Sequence, residues 1–195
     1  MSSLPVTDIL ISPRFRLSNW QRLTFQSEED WLTAIDIVED RIKGRFVRCI
    51  DQILGEWHAG FAVVALDCLL IETLVGFQAG HRTSDTETAY VSLLTTSKYF
   101  SFDEDTARSF YKNVRNGIAH DAETRRKWII RKLEPRNKIL ERDPEGNFIL
   151  NRTTFHKALK AELDDWVSKI KMGDKTAREK MRERMQEIVA IHFAE

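Results

Sequence analysis

Apolar residues recur at steps of three and four from Leu32 to Ile53. Leu32, Ile35, Val38, Ile42, Phe46, Cys49 and Ile53 share one face of a helix placed over 28–54. Ser27 reads as its N-cap, because a serine oxygen can accept a free amide of the first turn. Glu28, Glu29 and Asp30 then face the positive helix end. Glu39 and Lys43 form a favourable pair one turn apart, and Gly55 ends the helix. The next stretch, 57–79, is apolar on nearly all sides and predicts a central, buried helix. A polar loop over 80–88 leads to a shorter helix over 86–99 with Val91 and Leu94 inward. Ser101-Phe102-Asp103-Glu104 has the spacing of a capping box. The helix after it turns Ala107, Phe110, Tyr111 and Val114 to the core and delivers Arg115 at its end.

Asn116-Gly117 reads as a helix stop, since both residues tolerate positive φ. Asp121 then caps a helix from Ala122 to about Leu133, which Pro135 stops. Trp128-Ile129-Ile130 would also suit a strand, and the helical spacing of Ala122, Arg125, Ile129 and Leu133 favours the helix. Ile139-Leu140 and Phe148-Ile149-Leu150 flank Asp143-Pro144-Glu145-Gly146-Asn147, which predicts a β-hairpin. Thr153 or Thr154 caps a helix that aligns Phe155, Leu159, Leu163, Trp166 and Ile170. Gly173-Asp174 separates it from a last helix with Ala177, Met181, Met185, Ile188 and His192 on one face. The pattern therefore predicts a mainly α fold. An irregular arm over 1–26 carries Trp20, Leu23 and Phe25, a helical core spans 27–134, and a small β-hairpin with a C-terminal helical extension over 135–195 packs on that core.

Composition narrows the function. The chain has 195 residues, 42% of them hydrophobic and 31% charged, with a formal net charge of zero. It is long enough to bury a core, and any nucleic-acid contact must be a local basic surface. Cys49 and Cys68 sit in apolar helical patterns and read as buried thiols of a reducing compartment. The first ten residues lack the layout of a signal peptide, and Asp67 and Glu72 interrupt an apolar stretch too short to span a bilayer comfortably. A cytoplasmic protein with no membrane association is expected. His58, His81, His156 and His192 lack metal-ligand spacing, so no metal and no cofactor are expected.

The candidate chemistry lies in Arg115-Asn116-Gly117-Ile118-Ala119-His120. Histidine exchanges a proton near neutrality, and arginine presents a permanently charged fork that matches a phosphate. Asp67 and Glu72 stand about 140° apart around their helix and cannot form one two-carboxylate site. Glu72 is expected either to face the motif and support Arg115 or to reach solvent at the helix edge. Nine basic residues between positions 112 and 138 stand against Asp121, Glu123 and Glu134. Among them Lys112, Arg125, Arg126 and Lys127 are the candidate substrate-binding residues, since such a surface can track a phosphate backbone.

The stretch Tyr-Lys-Asn-Val-Arg-Asn-Gly-Ile-Ala-His resembles the signature of the HEPN superfamily: an arginine, a polar residue, a short spacer and a histidine. The likeness covers roughly residues 30 to 134. It implies a HEPN-like helical bundle in which Arg115, Asn116 and His120 are catalytic. The implied activity is a metal-independent endoribonuclease that cleaves RNA by 2′-hydroxyl attack and leaves a cyclic phosphate. The resemblance also implies a homodimer in which two motifs share a cleft, and a role in defence, toxin–antitoxin or stress systems with an antitoxin or other protein regulator. The alternative is a non-catalytic HEPN-like module that binds protein or RNA. An open cleft at Arg115 and His120 favours the enzyme; their burial or separation favours the module.

Overall fold

A computed structural model describes residues 8–132 and 138–191. The fold is mainly α, with a small three-stranded sheet and a C-terminal helix. Helix α1 is Leu17–Gln21, a short turn inside the expected irregular arm, with Trp20 buried. Helix α2 starts at Glu28–Ile42, widens into a π turn at Lys43–Val47 and continues over Arg48–Ile53. Ser27 caps it by accepting from the Asp30 amide, and Lys43 pairs with Glu39 at 2.7 Å, as the spacing predicts.

The π turn has a consequence along the same helix. An extra residue in one turn advances the buried face by one position. The core therefore reads Ile35, Val38, Ile42, Val47 and Ile50, where an unbroken helix would bury Phe46 and Cys49. Cys49 is exposed, which corrects its expected burial, and so is Leu32 at the first turn; Cys68 is buried.

Helix α3, Gly60–Ala79, is the centre of the molecule. Val63, Val64, Leu70, Ile71, Leu74 and Phe77 are fully buried. It begins three residues later than expected, and Gly80 closes it at φ 92°, a left-handed conformation that glycine adopts without penalty. By length and composition α3 could cross a bilayer, and among the described residues it is the one helix that could. Half of its apolar window is buried inside the fold.

Helix α4 is Thr86–Thr96, capped by Asp85. Helix α5 runs Glu104–Phe110, passes a second π turn at Tyr111–Arg115 and continues over Asn116–Asp121. Two expectations fail here. The cap is Asp103, which accepts from Thr106 at 2.7 Å, and not a box starting at Ser101. Asn116-Gly117 does not stop the helix; the left-handed residue that ends it is Ala122, at φ 54°.

Gly117 is needed for proximity rather than for its φ. A Cβ there would lie 2.4 Å from the backbone oxygen of Glu123, because the chain doubles back over the helix end. Gly117→Ala is therefore expected to cost about 1–3 kcal/mol, as overpacking against backbone does. Gly55→Ala, which meets nothing within 4 Å, should stay within about 0.5 kcal/mol of wild type. Urea unfolding of both variants checks this, and equal stabilities would remove the argument.

The segment expected as a helix over 122–133 is instead strand β1, Trp128–Arg131; Leu133 and Pro135 lie outside the described residues. Strands β2, Leu140–Arg142, and β3, Phe148–Asn151, form the expected antiparallel hairpin. Strand β1 adds to β3 in parallel, giving the order β1-β3-β2. Trp128 stacks on Phe148 at 4.5 Å, and its indole N–H donates to Ser109 on α5. That pairing is the competitor that defeats the helical spacing.

Helix α6, Arg152–Lys171, is capped by Asn151, which accepts from the Thr153 and Thr154 amides, so neither threonine is the cap. Gly173 turns the chain and Asp174 caps helix α7, Lys175–Ala190, as expected. His192 is outside the described residues. Helices α6 and α7 both pack on α3, and Leu159, Leu163, Met181 and Met185 join the same core as α2 and α3.

Candidate functional site

Arg115 ends the second π turn of α5, which points its side chain back across α3. Its Nε donates to Glu72 Oε1 at 2.8 Å and Nη2 lies 2.7 Å from the same oxygen. Nη1 donates to the Asn116 side-chain oxygen at 3.0 Å, and the guanidinium lies 5.7 Å from the Tyr111 ring centre. The pair expected between Glu72 and Arg115 is therefore present. Burial pulls the guanidinium pKa down, but the Glu72 contact outweighs it and holds the group above its ordinary value. Arg115 is 23% exposed and opens onto a cleft of about 610 Å³ that Glu72 also lines.

His120 sits near the C-terminal end of α5, exposed, with no hydrogen bond or ion pair to a described residue. Five α-helical steps separate it from Arg115, a rise of about 7.5 Å and a rotation of about 140°. The two side chains share one helix but leave it in different directions, and His120 is not among the residues lining the Arg115 cleft. The structure brings Arg115, Asn116 and Glu72 together and leaves His120 beside them.

The candidate substrate-binding residues are all exposed. Lys112 lies 3.4 Å from Glu87, and Arg125 is caught by Asp121. Lys127 donates to the Glu145 carbonyl at 3.1 Å, while Arg126 takes a left-handed φ of 48° in the loop before β1. Arg136 falls outside the described residues. On α7, Arg178 is buried and holds Glu28 at 2.6 Å, so it joins helices rather than facing solvent. No protein-family profile, no curated protein and no solved structure gives a significant match to this chain.

Sequence reasoning missed a buried polar cluster. His156 on α6 is enclosed, with Nδ1 2.7 Å from Asp67 Oδ1 and Nε2 3.3 Å from Asp51 Oδ1; Lys160 holds the other Asp51 oxygen at 2.8 Å. An aspartate in an otherwise apolar helix was the one signal, and nothing in the sequence named its partner. Among the described residues, no three His, Cys, Asp or Glu side chains gather as a metal site would need.

Burial pushes the Asp67 pKa up to about 6, against the opposing pull of His156. A carboxyl raised in the folded chain keeps its proton where the unfolded chain has lost it. Its burial therefore opposes folding above about pH 6, and that penalty fades as pH falls toward the unfolded value near 3.8. Two units correspond to about 3 kcal/mol. Asp67→Asn removes the titration, so the stability of wild type relative to Asp67→Asn should rise as pH drops from 7.5 to 4.5. Urea unfolding at both pH values tests this; a difference independent of pH would refute it.

Proposed function

We propose that this chain is a metal-independent endoribonuclease that works as a symmetric homodimer, with Arg115, Asn116 and His120 as its catalytic residues. The observation that carries the proposal is His120: exposed, unengaged and beside an arginine fixed at the mouth of a cleft. A base must reach a 2′-hydroxyl, and a side chain with no competing partner is ready to do so. Arg115 has five N–H donors, of which contacts to Glu72 and Asn116 engage three. The other two are free for a phosphate oxygen. Glu72 and Asn116 lock the fork in place, which is preorganisation for charge that develops during reaction.

One copy is insufficient, since Arg115 and His120 diverge on their helix. A second copy supplies the missing direction, so that His120 of one chain faces the phosphate held by Arg115 of the other. An apolar stripe on α3 supports such a contact. Phe61 is 38% and Leu69 49% exposed, Ala62 and Ala65 lie between them, and the stripe runs into Glu72. In the reaction one His120 takes the 2′-hydroxyl proton, and the 2′-oxygen attacks phosphorus. The bond to the 5′-oxygen breaks as that oxygen gains a proton from water. The products are a 2′,3′-cyclic phosphate and a 5′-hydroxyl. Lys112, Arg125, Arg126 and Lys127 track the strand. A role in defence, toxin–antitoxin or stress systems, with a protein regulator, follows from the HEPN resemblance alone.

The test compares wild type with His120→Ala on labelled structured and single-stranded RNAs in EDTA. Cleavage by wild type alone, leaving cyclic-phosphate ends, supports the proposal. Equal cleavage by both, or cleavage that needs added metal, overturns it. A second reading, a non-catalytic helical binding module, draws on the engagement of Arg115, whose contacts would equally brace α5 against α3. A dimer that binds RNA or protein without cleaving any of these RNAs would favour it.

A further inference from the structure

The central helix α3 starts without a cap. Its N-cap is Ala59, whose side chain cannot accept an amide, and its first turn holds no acidic residue. The partial positive charge of a 20-residue helix is therefore left unopposed by side chains at Gly60. Arg152, the first residue of α6, lies against this end. It is 2% exposed, and a Cβ added to Gly60 would stand 3.4 Å from its Nη1. Nη2 donates to the Glu56 carbonyl, while Nε is buried with no partner among the described residues. Burial alone lowers the Arg152 pKa, with no carboxylate to pull it back. An enclosed guanidinium in that condition is costly, because the charge has left water and nothing of opposite sign offsets it.

Arg152 and Gly60 open onto one pocket of about 410 Å³. Arg131 and Lys132, both exposed at the end of β1, line it as well, and no Asp or Glu does. Lys132 Nζ donates only to the Gly55 carbonyl, at 3.2 Å. The other walls are apolar: Ile129 and Ile130 of β1, and the indole of Trp57. Trp57 is 82% exposed, so a large ring stands in water beside three cations. A few convergent polar groups within apolar walls are the usual make-up of a small-molecule site.

We infer that this pocket binds a phosphate group on Arg152, Lys132 and the first amides of α3. The source is free phosphate or the phosphomonoester of a small molecule, whose apolar body would lie on Trp57 and Ile129. An arginine fork, a lysine ammonium and the amides of a helix start each match phosphate oxygens, and together they suit a dianion. Along α3, Gly60 and Glu72 are about 18 Å apart, so this site is separate from Arg115 and stands whether or not the chain cleaves RNA. A phosphate held here touches α3, α6 and β1 at once, so it should also raise the unfolding midpoint.

Amide chemical shifts of the isotope-labelled full chain test this, in titrations with sodium phosphate and separately with phenyl phosphate at constant ionic strength. Saturable shifts are expected at Gly60, Phe61 and the Arg152 Nε–H. Arg152→Gln should weaken binding about tenfold or more, the scale of one hydrogen bond to a charged group. Because Arg152 is buried, an exposed variant carries the test if Arg152→Gln does not fold. Lys132→Gln should weaken both probes about threefold, as loss of a partly screened charge does. Tighter binding of phenyl phosphate than of phosphate identifies an organic phosphomonoester, and Trp57→Ala should then remove the advantage. Equal binding identifies the phosphate group as sufficient. Absence of saturable shifts with either probe, shifts that sodium chloride reproduces, or unchanged affinity in Lys132→Gln or in folded Arg152→Gln overturns the inference.

Discussion

Replacing His120 with alanine is expected to slow the proposed RNA cleavage about 100-fold or more, with no change in folding stability beyond about 0.5 kcal/mol. The two halves of this expectation come from the same observation. An exposed side chain without hydrogen bonds contributes little to the fold, so its loss leaves stability intact. A general base contributes roughly 100- to 10,000-fold, and in a symmetric dimer the substitution removes it from both sites. Mixing inactive His120→Ala chains with inactive Arg115→Ala chains provides a sharper check. If the two sites combine residues from both subunits, such heterodimers regain one complete set and recover part of the activity. Failure of the mixture to recover, with exchange of subunits verified, would exclude the shared site.

Phe110→Ala is expected to destabilise the fold by about 3–5 kcal/mol, the range for deleting a large buried ring. Phe110 is fully buried and is the place where four elements meet. Its ring lies 5.3 Å from Phe155 of α6, 5.7 Å from Trp128 of β1, 6.0 Å from Phe102 and 6.4 Å from Tyr90 of α4. Edge-to-face and stacked pairs of this kind each add about 0.5–1.5 kcal/mol beyond area burial. Domains have only about 5–15 kcal/mol in total, so the variant should show a large drop in the urea midpoint. Phe110→Leu keeps most of the volume and should cost clearly less. A loss under about 1 kcal/mol for Phe110→Ala would mean that the cluster collapses onto the gap. The π turn that presents Arg115 follows directly on Phe110, so activity should fall together with stability in this variant, unlike in His120→Ala.

The helices were legible because their signals are local. Ser27, Asp174, Gly173 and the apolar steps along α2, α6 and α7 act within one or two turns, and the structure keeps them. The hairpin at Asp143–Asn147 was legible for the same reason. The ion pair between Glu72 and Arg115 was also within reach, because a carboxylate in an apolar helix demands a cation and Arg115 ends a helix expected to pack on it. The departures share a physical origin. Gly117 looks like a helix stop, but glycine serves equally where another backbone comes close, and the approaching Glu123 carbonyl is invisible in the local sequence. Trp128-Ile129-Ile130 fits either period, and its state was decided by β3, some twenty residues further on.

By itself the sequence determined a mainly α chain with a capped amphipathic α2, a buried α3, a β-hairpin, two C-terminal helices and an Arg115–His120 motif beside a basic run. Each of these rests on spacing or capping chemistry that acts along the chain. Only the tertiary structure decided the two π turns, the strand state of β1, the burial of His156 between Asp67 and Asp51, and the cleft where Arg82 and Arg184 meet Arg115. Those features depend on residues distant in sequence competing for the same space, and no local period or propensity encodes which of them arrives.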